Sequence, residues 1–276
     1  METVRRDTCA MTRELFSHVL NLILIEDDVP GAIEYTKNTI SNLLQGKTDL
    51  SRLVITKGLT KDEETYMQKQ AHGAVALKMH KRDPNTAPVT GDRVAYVVTQ
   101  GPAKAKLFEK TEDPLWVLEH NIPIDTHYYL SNQLQKPLTR IFRSFVDNPA
   151  ILWTGDHTLS ISKPTPTTGG IMSFTKKTKQ CIGCRVTLPL SELNQTTCLA
   201  CRPRERDFCI EQIQKTRVLE QRFARLWTQC QVCQGSLLQP VICTNRDCPI
   251  FYMRKRVQKD LEEATAKING FDALEW

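Results

Sequence analysis

At 276 residues, with 40% hydrophobic and 25% charged side chains, the chain has the composition of a folded protein. That excludes a disordered tail and leaves room for one large domain or about two to three small ones. The longest apolar run, Val19 to Ile25, is broken by Asn21 and stops at Glu26-Asp27-Asp28, far short of the roughly 18 residues of a membrane-crossing helix, so a soluble protein with no membrane partner is expected; the formal net charge of +6 suits a nucleic-acid partner without requiring one.

Leu15, Val19, Leu22 and Ile23 recur at helical spacing and predict a first helix over residues 11–25. A second is expected from near Asp28, with Pro30 in its first turn, to Gly46. Leu53-Val54-Ile55 reads as a brief strand, and Thr60 to Met79 as a polar helix that Lys81-Arg82-Asp83-Pro84 breaks. The β-branched and aromatic segment GDRVAYVVT, Gly91 to Thr99, predicts a core strand entered through a Gly-Asp turn.

From Asp125 to Phe145 the residues Leu130, Leu134, Leu138, Ile141 and Phe145 fall on one face of a predicted core helix, with Pro137 as a kink. His127, Tyr128 and Tyr129 belong to that helix; nothing pairs them with a nucleophile or base. Ser162 to Gly170 shifts to Pro, Thr and Gly and marks a domain boundary. Beyond it, Arg204 to Trp227 is helical in pattern, with Phe208, Ile213, Leu219, Phe223 and Leu226 for packing. A last helix is expected from Phe251 to about Ile268, closing on Asn269-Gly270. The expected fold is mainly α with short β segments, an α+β arrangement.

Eight of the ten cysteines form two quartets, Cys181-x2-Cys184-x13-Cys198-x2-Cys201 and Cys230-x2-Cys233-x9-Cys243-x4-Cys248. Each close pair presents two sulfurs from one tight loop, so two pairs can complete a four-thiolate shell with little core behind them. A disulfide framework needs an oxidising compartment. The opening residues METVRRDTCAMTRELF hold neither an apolar signal run nor a small-residue cleavage site, so metal is the expected use of these thiols. Four thiolates suit zinc or an iron–sulfur cluster, and the residues alone favour zinc at both quartets. Cys9 and Cys209 stand outside as free thiols.

Several segments together resemble the C-terminal end of DNA polymerase delta catalytic subunits, which are B-family replicative polymerases. They are ETVRRD (2–7), LVITKGLTK (53–61), KRDPNTAPVTGDRVAYVV (81–98), DTHYYLSNQLQKPLTRIF (125–142), TGDHTLSISK (154–163), CIGCRV (181–186) and both quartets. The resemblance implies a partial polymerase thumb over 1–160, a linker over 161–178 and a small two-metal cysteine-rich domain over 179–276. It also implies zinc at Cys181, Cys184, Cys198 and Cys201, and a [4Fe-4S] cluster at Cys230, Cys233, Cys243 and Cys248. The implied partners are duplex primer-template DNA, the sliding clamp at the zinc module and a B-type accessory subunit at the cluster module, in the nucleus.

The family motifs that supply the palm metal-binding carboxylates, D-x-x-S-L-Y-P-S and Y-G-D-T-D-S, do not occur in this sequence. No catalytic residue is expected, and the chain is expected to be a fragment that begins inside the thumb, of a nucleotidyltransferase family yet inactive alone. Candidate phosphate contacts are Lys57, Lys61, Lys69, Lys78, Lys81, Arg82 and Arg93. The alternative is a free-standing nucleic-acid-binding protein with two zinc ribbons. An independent hydrolase finds no motif, since the six histidines are scattered.

Overall fold

The computed structural model describes residues 3–4, 7–61, 69–102, 104–160, 179–189 and 195–271. The expected linker at 161–178 and residues 62–68 of the expected polar helix lie outside them. The described residues are mainly helical with one small antiparallel sheet, as the patterning implies. The chain divides into two compact units, Met1–Pro166 with Asn245–Tyr252, and Thr167–Thr244 with Met253–Trp276. No helix among the described residues is long and apolar enough to cross a membrane.

The first unit opens with α1 (Ala10–Leu24), which buries Leu15, Phe16, Val19, Leu22 and Ile23, and α2 (Val29–Leu44). Asp28 caps α2 by accepting from the Gly31 N–H at 2.8 Å. A Cβ at Gly31 would stand 2.0 Å from the Asp28 carboxylate, so a larger residue there would displace the capping side chain.

Strands β1 (Ile55–Gly58), β2 (Arg93–Val98) and β3 (Thr111–Glu112) form a sheet of order β1-β2-β3, with Ile55 opposite Tyr96 and Val97 opposite Glu112. The central strand buries every residue from Val94 to Val98, so its run is continuously apolar rather than alternating. The period of two sorts these side chains. Val94, Tyr96 and Val98 enter a core with α1, α2, Tyr129, Leu134, Leu138 and Phe142. Ala95 and Val97 enter a second core with Leu50, Val117, Phe251 and Tyr252.

The remaining elements of this unit are α3 (Ala71–Arg82), α4 (Leu107–Lys110), α5 (Pro114–His120), α6 (Thr126–Tyr128), a π-helical segment (Tyr129–Gln135), α7 (Lys136–Phe142) and two 3-10 turns, Pro149–Leu152 and Asp156–Thr158. Four features differ from the sequence pattern. The first strand begins at Ile55 rather than Leu53, because Asp49 caps a 3-10 turn over Leu50–Arg52 by accepting from Ser51 N. The polar helix, where described, is α3, since Gln70 is still extended. The short elements β3, α4 and α5 carry no periodic signal, and no sequence expectation covers them.

The fourth difference is the expected Asp125–Phe145 helix, whose kink takes the form of the π-helical segment ending just before Pro137. A proline has no N–H for the carbonyl four residues back, and a widened turn accommodates it. The Tyr129 hydroxyl, fully buried, accepts the Val98 N–H at 3.1 Å and ties this segment to the sheet. Phe145 lies past the end of α7 and is 46% exposed, so it does not join the core.

Three of the candidate phosphate contacts are committed inside the protein. Arg82 pairs with Glu112 through two hydrogen bonds of 2.9 and 3.0 Å and stacks on the Trp116 ring. Lys78 donates to the Thr111 carbonyl at 2.6 Å, and Arg93 donates to Thr56 and pairs with Asp247. Burial pushes the Glu112 carboxyl up, but the Arg82 hydrogen bonds, the Asp113 N–H and the Lys78 charge outweigh it and hold it below its ordinary value.

A depressed carboxylate contributes stability that is present above its unfolded pKa and lost as pH falls through its folded pKa. Glu112→Gln is therefore expected to flatten the acid-side loss of the first unit's stability and to lower stability near neutral pH by roughly 2 kcal/mol. That is below the figure for a fully buried pair, because Arg82 keeps 31% of its side chain exposed. Denaturant melts from pH 7 to pH 3 check both; an unchanged pH profile would overturn this role.

The second unit contains α8 (Glu205–Gln234) and most of α9 (Pro249–Asn269), whose first turn groups with the first unit. Helix α8 runs about two turns past the expected end at Trp227, because no breaker intervenes before Gly235, which closes it at φ 79. Its last turns thereby carry Cys230 and Cys233.

Candidate metal centre

The first quartet is built by two knuckles. Cys181 N donates to the Val186 carbonyl and Arg185 N to the Cys181 carbonyl, closing a turn in which Arg185 has φ 63. The second knuckle folds as Cys201 N and Arg202 N both donate to the Cys198 carbonyl at 3.0 Å. The two are joined where Ile182 N meets the Thr196 carbonyl and Cys198 N donates to the Cys181 sulfur at 3.3 Å.

The result brings all four sulfurs within 4.8 Å of one another, with Cys184 and Cys198 Sγ 3.6 Å apart. A tetrahedral zinc with Zn–S near 2.3 Å sets its sulfurs about 3.8 Å apart. The quartet therefore fits one zinc ion. Among the described residues no other group of three or more Cys, His, Asp or Glu side chains gathers this closely.

Burial pushes the Cys181 thiol up, but the N–H groups of Cys184, Cys198 and Gly183 outweigh it and draw it down to about 6. Cys201 is pushed up to about 12 by burial and by hydrogen bonding to its three neighbours. Without a cation one thiol ionises easily and a crowded neighbour resists; a divalent ion is what lets all four become thiolates together. One requirement escaped the spacing pattern. A Cβ at Gly183 would meet the Phe208 ring at 2.7 Å and Cys201 Sγ at 3.0 Å, so the knuckle closes only on glycine. No motif of cysteines alone could have revealed it.

In the second quartet, Cys230 is buried and Cys233 exposed on the last turns of α8, while Cys243 and Cys248 are half-buried in and after the following loop. Cys230, Cys233 and Cys243 belong to the second unit, and Cys248 to the segment that groups with the first. None of them is joined in a disulfide, and neither are buried Cys9 and Cys209. Cys9 pairs with the Thr12 hydroxyl, and burial pushes its thiol up, which suits an inert core residue. His127, Tyr128 and Tyr129 form no catalytic cluster: Tyr129 is a sheet anchor, and its ring meets Tyr128 edge-on.

Residues 1–145 match the family model for DNA polymerase family B, and residues 181–254 match that for the C4-type zinc-finger of DNA polymerase delta. Across 273 residues the chain is 50% identical to the DNA polymerase delta catalytic subunit of Oryza sativa subsp. japonica, covering 99% of this chain and 24% of that protein. The Arabidopsis thaliana subunit is 52% identical over 98% of this chain and 24% of its own length, and that of Mesocricetus auratus 47% identical over 98% and 25%. The chain thus spans about a quarter of the length of these relatives. A solved family B DNA polymerase from the archaeon Pyrobaculum calidifontis is 27% identical, with a TM-score of 0.40 over 46% of this chain and 17% of its own.

Proposed function

This chain belongs to DNA polymerase family B, and we propose that it is the duplex-gripping thumb and subunit-docking tail of a polymerase delta catalytic subunit. The reading rests on one observation above all: about half of all positions are identical to such subunits over 98–99% of the chain. Residues 1–160 are then the thumb, 161–178 the linker and 179–276 the cysteine-rich domain. The chemistry of nucleotide addition belongs to palm carboxylates that this sequence does not carry. Its own residues bind and orient.

In the tail, Cys181, Cys184, Cys198 and Cys201 hold zinc, and Cys230, Cys233, Cys243 and Cys248 a [4Fe-4S] cluster. The zinc module serves the sliding clamp and the cluster module the B-type accessory subunit, in the nucleus. A structural zinc supplies folding energy to its module, and a cubane ties its four cysteines together in the same way. In the thumb, grip on duplex without sequence choice is a phosphate problem. Since Lys78, Arg82 and Arg93 are engaged within the protein, exposed Lys57 and Lys81 are better placed for it.

Fluorescence anisotropy with primer-template DNA tests this. Binding is expected to be weak, indifferent to sequence, and to fall with salt at a log–log slope of about −0.9 per phosphate contact. Removing Lys57 or Lys81 should reduce that slope by about one each, uniformly across sequences. The same preparation, supplied with magnesium and all four nucleotides, should not extend the primer. A salt-independent or sequence-selective isotherm would instead favour a free-standing nucleic-acid-binding protein.

A further inference from the structure

Gly73, Ala76, Leu77 and His80 recur at i, i+3, i+4 and i+7 on α3 and so share one stripe of the helix. With Leu59 and residues 88–90 they line an open groove of about 440 Å³ within the first unit. The groove exists because Gly73 and Ala76 have little side chain with which to fill it. Its second wall is held beside the end of β1, where Leu59 N donates to the Asp92 carbonyl and Gly91 N to the Leu59 carbonyl, both at 2.8 Å. Two aliphatic side chains stand open at this groove, Leu77 at 41% and Val89 at 66% exposure.

Positive charge lies toward both ends. Burial, joined by the charge of nearby Lys57, holds the His72 ring below its ordinary pKa, which puts exposed Lys57 at the Gly73 end. Lys81, also exposed, continues the Gly73–Leu77 row by one turn. No carboxylate is among the lining residues. Nearby Asp83 accepts from Asn85 N and the Thr86 hydroxyl, and Asp92 from Val89 N, so both serve their own turns. The eight steps from His72 to His80 rise roughly 12 Å, about three to four nucleotides of one strand at roughly 3.4 Å each.

An apolar trough with a cation toward each end matches one strand of a nucleic acid, in which apolar sugars alternate with anionic phosphates. Leu77 and Val89 offer no aromatic face on which a base could stack, and a purely apolar protein anchor would make no use of the two lysines. We infer that this groove takes the sugar edge of a DNA strand whose phosphates reach Lys57 and Lys81, and that it prefers deoxyribose to ribose. The 2′-hydroxyl of ribose would be pressed against Leu77 and Val89, losing water without gaining a partner. Deoxyribose presents a methylene there instead. The inference deepens the proposed function and rests on that grip on duplex.

Fluorescence anisotropy on the full chain tests it with a DNA duplex and a same-sequence duplex in which one strand is RNA, for wild type, Leu77→Gln, Val89→Thr and Lys81→Gln. Wild type is expected to bind the DNA duplex about 5-fold more tightly than the hybrid. Leu77→Gln and Val89→Thr should each weaken DNA binding about 2- to 5-fold and narrow that preference, because a polar group now meets the hydroxyl. Their salt slope should stay that of wild type, since no phosphate contact is lost. Lys81→Gln should do the reverse, lowering the slope by about one and keeping the preference.

A preference that survives both groove variants would come from the shape of the hybrid alone and would overturn the sugar contact. Wild-type DNA affinity in both variants would also overturn the inference, leave the salt-dependent grip standing, and assign the groove to a protein partner. A salt-independent isotherm for wild type would remove the grip and the inference together. Melting curves check that the variants fold, which the exposure of both side chains favours; should Leu77→Gln melt early, Val89→Thr decides by the same criteria.

Discussion

Replacing Cys198 with serine is expected to empty the first quartet of its zinc and unfold residues 179–201, while Cys243→Ser removes the iron of the second quartet and spares the zinc. The size of the effect follows from what holds the first module together. Between Lys179 and Cys201, Leu188 is the one aliphatic side chain buried among the described residues, beside Cys181, Thr196 and Thr197. One leucine contributes about 2–3 kcal/mol by burial, against roughly 10–16 kcal/mol of apparent zinc binding in four-ligand modules. Metal, not core, therefore decides whether the knuckles fold.

With three thiolates left, the Cys198 N–H to Cys181 sulfur bond and the close approach around Gly183 have nothing to organise them. Metal analysis of anaerobic protein should read about one zinc and about four irons in the wild type. It should read iron alone in Cys198→Ser and zinc alone in Cys243→Ser. Amide exchange should show protection lost over 179–201 in the first variant only. Stoichiometric zinc in Cys198→Ser, or loss of both metals together in either variant, would refute independent modules.

Tyr252→Ala is expected to cost the first unit about 3–5 kcal/mol, the range for deleting a large buried aromatic. Tyr252 is 1% exposed and stands with Phe251 in the core that holds Leu50, Ala95, Val97 and Val117. Its hydroxyl donates to the Arg246 carbonyl at 2.8 Å, and Arg246 pairs with Asp113. Which of these carries the docking of Asn245–Tyr252 can be decided from charge. Burial keeps the Asp113 carboxyl above its ordinary value even though Arg246 lowers it, so the ion pair does not repay its own desolvation. The aromatic insertion is therefore expected to carry more of the stability than the ion pair.

Tyr252→Phe, which keeps the ring and drops one hydrogen bond, should accordingly cost about 1 kcal/mol. Hydrogen exchange at β2, the strand against which Tyr252 packs, reads the loss directly. Unchanged protection of Val94 to Val98 in Tyr252→Ala would show that the segment is not part of this core.

Local chemistry makes much of the molecule legible in advance. Helices α1 and α2 follow from four-residue apolar spacing with Asp28 and Pro30 at the second start, and β2 from its unbroken β-branched run. The cysteine spacing names two quartets, and the first is the one whose four thiols gather within 4.8 Å among the described residues, because its C-x-x-C pairs close as tight turns, whereas Cys230 and Cys233 lie on the last turns of α8. Resemblance, rather than spacing, supplies the family.

Amphipathic periods, caps, breakers and knuckles can all be read from the order of residues, because the cause of each lies within a few positions. Features that join distant positions arise only in the folded molecule. No local pattern could show that Arg82 and Lys78 are engaged by the β3 segment some thirty residues on. Nor could it show that Gly183 must leave room for Phe208, or that Phe251 and Tyr252 complete a core begun by Leu50 and, on β2, by Ala95 and Val97. Short elements such as β3 and α5 carry too few residues for a period to emerge, and exist because β2 needs a partner and a cover. Burial, charge pairing and close approach are properties of pairs of residues, and a chain specifies them only once it has folded.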